Sequence, residues 1–156
     1  MFQIVNSPMK NDIDLFNSYT RVIRSCKEDA DALVSDALQF FDKLRDYGYF
    51  PNISDFFFRL ALDETVANAL EHGNRSDPGK KIVLMIEHKN KRLIITVTDD
   101  GNGFDPDAIS DPKLAENRCN VNGRGICLLK SIGKVSWNNK GNRVRVEIAD
   151  ESPQRL

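Results

Sequence analysis

Apolar residues recur at helical spacing from Lys27 onward, where Ala30, Leu33, Val34, Ala37, Leu38, Phe41 and Leu44 form one stripe and Gly48 falls just past its end as a C-terminal cap. This predicts a first helix. Residues 16–26 precede it with Phe16, Ser18, Thr20 and Val22 alternating against Tyr19, Arg21 and Ile23, an edge or near-edge strand. Pro51 and Asn52 then break the chain. A second helix is expected over residues 53–72, with Phe56, Leu60, Ala67 and Leu70 as its apolar stripe and Gly73-Asn74 as its end. After the turn at residues 76–79, strands at 81–87 and 92–98 make a hairpin joined by His88-Lys89-Asn90-Lys91. Leu93-Ile94-Ile95-Thr96-Val97 is apolar on both faces, as suits an interior strand.

Residues 104–122 hold Pro106, Pro112, acids and amides with little periodicity, a loop long enough to read as a lid. Helical spacing resumes at 125–132, and strands at 134–137 and 143–148 close the chain around the turn at 138–142. Residues 1–8 show a short alternation at Phe2 and Ile4 that fits a strand or a tail, and 150–156 is a polar tail. Helices first, then strands with one more helix, favour an α+β two-layer sandwich carrying its helices on one face of the sheet.

Composition narrows the function classes. A chain of 156 residues, 40% hydrophobic, suits one well-filled core, so a single domain over 1–156 is expected. With 22 basic against 23 acidic residues, no chain-wide positive field exists to hold nucleic acid or an anionic membrane, and neither is an expected partner. No apolar run approaches the roughly 20 residues of a spanning helix, and the amino end lacks a signal core. Cys26, Cys119 and Cys127 are odd in number and far from metal-ligand spacing, which fits reduced thiols and a cytoplasmic protein.

Three segments carry the candidate chemistry. Glu64, Asn68 and His72 recur every fourth position and so share one stripe beside the apolar face of the second helix. Asn is a poor helix-interior residue unless its amide is needed: either as a buried amide satisfied by backbone, or as a magnesium ligand. Glu64 reads either as a solvated face or as a general base, and His72 is explained by the helix dipole. Asp99-Asp100-Gly101-Asn102-Gly103 is a tight loop after a strand; its sharper reading has the glycines lying flat against a planar ligand while Asp99 accepts from an exocyclic amine such as adenine's. Gly123-Arg124-Gly125 opens a helix, either as a plain turn or as a phosphate cradle.

Taken together, E-x-x-x-N-A-x-x-H-G (64–73), D-x-G-x-G-F-D-P (99–106) and G-R-G-I-x-L-L (123–129) resemble the N, G1 and G2 boxes of the histidine-kinase-like, or GHKL, ATPases. The match is nearest to the anti-sigma-factor serine kinases of bacterial partner-switching systems and spans residues 16–148. The resemblance implies the Bergerat ATP-binding fold, with a mixed, mostly antiparallel sheet. It implies ATP and Mg2+ as ligands, Asn68 as the magnesium ligand, Glu64 as catalytic base and Asp99 at the adenine amino group. Gly101 and Gly103 would shape the base pocket and Gly123, Arg124 and Gly125 would meet the phosphates, with Lys113, Arg118 and Arg124 as candidates to neutralise charge. It further implies a homodimer that phosphorylates a serine on a small antagonist protein and, in its other state, holds a sigma factor. One departure stands out: many members carry Gly-Thr-Thr where this chain has Gly141-Asn142-Arg143. Two other functions compete, a nucleotide-dependent partner-binding module that transfers no phosphoryl group and a detached histidine-kinase ATPase domain.

Overall fold

The computed structural model describes residues 18–106 and 124–151. Five strands form one sheet: β1 (Ser18–Arg24), β2 (Lys81–Lys89), β3 (Arg92–Asp99), β4 (Lys134–Trp137) and β5 (Arg143–Ala149), in the order β1-β2-β3-β5-β4. All four pairings are antiparallel, so the described sheet contains no parallel pair where the resemblance allowed a mixed one. The β2–β3 hairpin turns over only Asn90 and Lys91, both at positive φ (52° and 56°), the two-residue geometry that matches strand twist. The strands therefore run closer to the tip than the four-residue link expected there. As the long apolar run in β3 suggested, that strand is interior, and its Leu93, Ile95 and Val97 face the core.

Helices cover one face of this sheet. Helix α1 (Lys27–Asp46) buries Ala30, Leu33, Ala37, Phe41 and Leu44, the stripe read from the sequence. Its end is a Schellman motif, in which Tyr49 N–H donates to Leu44 O (3.0 Å) and Gly48 N–H donates to Arg45 O (2.8 Å). Helix α2 (Asp55–Ala67) starts at Ser54, whose Oγ accepts from Phe57 N–H at 3.2 Å.

The buried stripe of α2 differs from the expected one. Phe58, Ala61, Leu62, Thr65 and Val66 are buried, whereas Phe56 is 68% exposed and Leu60 and Ala67 are half-buried. Three consecutive phenylalanines allow more than one choice of inner face. Packing decides between them, because Phe58 stacks on Phe41 of α1 with ring centroids 4.1 Å apart.

The second helix also ends early as an α-helix. Residues Asn68–Gly73 form a π-helical turn, closed by Asn74 N–H donating to Ala69 O at 2.8 Å. Such widened turns occur mostly as single bulges in helices, frequently at functional sites. Helix α3 (Arg124–Ile132) packs its Leu129 into the core beside α2. The alternation at residues 1–8, most of the long loop, Lys113, Arg118, Cys119, Gly123 and the last residues of the polar tail lie outside the described residues.

Candidate functional site

The site begins with a side chain that the sequence pattern did not single out. Asn74 is completely buried where the π-helical turn meets the sheet. Its Nδ2 donates to Lys81 O at 2.9 Å and its Oδ1 accepts from Asp100 N–H at 2.9 Å. Asp100 closes the loop, because its Oδ2 accepts from Lys81 N–H at 2.8 Å. One amide thus ties the end of the α2 segment to the start of β2 and the end of β3. The only sequence signal for it was an Asn beside a helix-ending Gly, which reads equally well as a plain cap.

This clip presents Asp99. Gly101 N–H donates to Asp99 Oδ1 at 2.8 Å, while Oδ2 accepts no hydrogen bond from the described residues. Gly73 and Gly101 flank the carboxylate so closely that a Cβ on Gly73 would overlap it and one on Gly101 would overlap the Gly73 carbonyl. Only glycine fits at either position. Burial raises the Asp99 carboxyl above its ordinary value; the Gly101 N–H opposes the shift, Asp100 adds to it, and Lys140 and Lys80 oppose it.

A second clip holds Asp99 from the other side. Asp99 N–H donates to Asn142 O at 2.9 Å and Asn142 Nδ2 donates back to Asp99 O at 2.7 Å. Asn142 is itself held by Asn138, whose Nδ2 donates to Asn142 Oδ1 (2.9 Å) and whose Oδ1 accepts from Asn142 N–H (3.1 Å). At the position where a Thr was expected, an amide therefore reaches the Asp99 backbone. Gly103 packs on the Lys140 carbonyl and Gly141 on the Phe104 backbone, so the loop after β3 and the β4–β5 turn touch through bare backbone.

Glu64 lies elsewhere along α2, half-buried, with its carboxylate against Gly125 in the first turn of α3. Any side chain at Gly125 would displace that carboxylate. One helical turn on, Asn68 is half-buried, and its side chain has no hydrogen-bond partner among the described residues. Among the described residues, no backbone group satisfies this amide. His72 is exposed at the end of the π-helical turn. Gly123 and the Arg124 side chain fall outside the described residues, although the Arg124 backbone opens α3. Cys127 is disulfide-bonded and Cys26 is a free thiol, which corrects the expectation of three reduced cysteines.

The donor set fits a nucleotide with its magnesium. Asp99 offers a free carboxylate oxygen at a partly desolvated spot, the partner an exocyclic amine needs. Asn68 offers an uncommitted amide oxygen, and Mg2+ characteristically takes one or two protein oxygens plus substrate phosphates rather than a cage of side chains. Accordingly, the lack of any cluster of three His, Cys, Asp or Glu among the described residues does not conflict with such a site. No described helix is long and apolar enough to cross a membrane.

Comparison with known proteins agrees with this geometry. No curated protein matches the chain. A family model described as the histidine kinase-like ATPase domain matches residues 31–148, a span that runs from α1 through both clips to β5. With its antiparallel sheet, one-sided helices and paired glycine-bearing segments, the chain belongs to the histidine kinase-like ATPase domain family.

Proposed function

We propose that this ATP-binding domain is a serine protein kinase and anti-sigma-type regulator, which phosphorylates a small antagonist protein and sequesters a sigma factor or similar partner. It would act as a homodimer, with one domain spanning the chain. The observation that supports the reading best is the Glu64 carboxylate beside the start of α3, where a general base and the phosphate-facing turn meet.

In this reading Asp99 Oδ2 accepts from the adenine amino group, and Gly101 and Gly103 shape the base pocket by letting the backbone pack closely around Asp99. The start of α3 meets the phosphates with its backbone N–H groups. Asn68 would hold magnesium, which would supply neutralising charge at the phosphates. Glu64 takes the proton from the serine hydroxyl as its oxygen bonds to the γ-phosphorus and the bond to the ADP oxygen breaks. Catalysis is then mostly a matter of holding these groups in line.

The alternative is a nucleotide-dependent binding module without phosphoryl transfer. It is supported by Asn142 standing where Thr is usual; Asn142 Nδ2 donates to the Asp99 backbone carbonyl. The deciding experiment offers candidate antagonist proteins to the wild type with labelled ATP and Mg2+, with Glu64→Ala alongside. Phosphoserine that falls about 10²–10⁴-fold in the variant is the expected result. ATP binding with no phosphate on any partner that the protein binds would contradict the kinase and leave the module.

A further inference from the structure

The nucleotide reading uses only the helix-covered side of the sheet. On the opposite side, directly paired residues of neighbouring strands share a face, so the register fixes what that face presents. Two rows cross it: Val22, Val83, Thr98 and Arg143, then Thr20, Met85, Thr96, Arg145 and Ser136. All of these but Val22 line a cleft of about 490 Å³, together with Trp137 and Asn138. The floor is apolar and hydroxylic, and Val22 beside it is 56% exposed.

Charge on this face is lopsided. By the same register it carries Arg24, Lys81, Lys89, Arg92, Lys134, Arg143 and Arg145 against Glu87 and Glu147, with Arg24 already paired to Asp29 of α1. Glu147 is shared between Arg145 (3.1 Å) and Arg92 (3.8 Å), while the Arg143 Nε donates to a neutral oxygen, Thr98 Oγ1, at 3.2 Å. In a chain whose net charge is -1, cations are therefore concentrated on this side. A second copy set face to face would place like charges opposite one another. Strands that recognise RNA present several exposed aromatic rings for base stacking; the two rows carry none, and Trp137 at the rim is the one aromatic lining the cleft.

We propose that the helix-free face of the sheet docks an acidic, extended segment of a partner protein. Carboxylates of that segment pair with Arg143 and share Arg145 with Glu147, and an apolar side chain of it enters the cleft over Val83 and Met85. Arg143 meets a carboxylate through its planar fork of donors. Uneven charge of this kind selects the partner and speeds its encounter more than it adds affinity. The surface is separate from the proposed nucleotide pocket, yet Asn138 serves both, bounding the cleft and holding Asn142 against Asp99.

The test titrates the full chain, without nucleotide, into a fluorescent peptide alternating Glu with Leu and Val, and follows anisotropy and amide NMR shifts. The outcome therefore does not depend on whether the ATP reading holds. Saturable binding is expected, with shifts centred on Thr96, Thr98, Arg143 and Arg145. Reversing both arginines, Arg143→Glu with Arg145→Glu, should weaken it roughly tenfold or more; should that variant not fold, Met85→Glu places a charge in the cleft to the same effect. A matched Lys peptide should not bind. Non-saturating binding, shifts on the helical side, or no effect of charge reversal would overturn the proposal. So would displacement of the peptide by oligouridylate, or a dimer in sedimentation that Arg143→Glu dissociates, since the face would then belong to RNA or to a second copy.

Discussion

Asp99 is held as a partly desolvated carboxylate with one oxygen committed to Gly101 N–H and the other free. Because its folded pKa is raised, the folded state binds the proton more tightly than the unfolded chain. Its contribution to stability is therefore full below the unfolded value and is lost as pH rises through the folded one. Asp99→Asn should raise the thermal midpoint of the nucleotide-free protein at neutral pH, with the gain shrinking as pH falls towards about 4. The same change should abolish most ATP affinity, since the free carboxylate oxygen becomes an NH₂ that faces the adenine amine donor to donor. Scanning calorimetry across pH reads the first effect; equal midpoints at neutral pH would contradict it. Gly125→Ala is a second residue-scale case. The added methyl takes the space of the Glu64 carboxylate, so turnover should fall about 10²-fold while KM for ATP changes far less. Steady-state kinetics separates the two, and a loss confined to KM would count against the assignment of Glu64.

At the scale of elements, the two asparagine clips decide where α2, β3 and the β4–β5 turn meet. Asn74→Ala removes both of its bonds and leaves Lys81 O and Asp100 N–H without that partner, a cost of about 2 kcal/mol. Urea denaturation should show that loss, and a change near zero would mean the clip is incidental. The helical layer depends on the stack of Phe41 between Phe58 and Phe50, whose ring centroids lie 4.1 and 6.2 Å from that of Phe41. Phe58→Ala should cost about 3–5 kcal/mol, whereas Phe56→Ala, at an exposed position, should lie within about 0.5 kcal/mol of wild type. The contrast between the two substitutions tests the inner face of α2 directly.

Across the whole molecule, period and punctuation made the sheet, α1 and α3 legible, because each has one clear apolar face and a marked end. The inner face of α2 was not, since the Phe56-Phe57-Phe58 run fits several registers until α1 is packed against it. The π-helical turn was equally hidden. It follows from the burial of Asn74 against β2 and β3, a contact between residues far apart in sequence. Glu64 and Gly125 were picked from separate motifs, and only the fold brings them into contact. The central claim joins these parts into one nucleotide pocket. Isothermal calorimetry with ATP and Mg2+ on the wild type, Asn68→Ala and Asp99→Asn tests it most directly: the account predicts saturable magnesium-dependent binding that both variants largely lose, and wild-type affinity in Asp99→Asn, or no binding by the wild type, would contradict it.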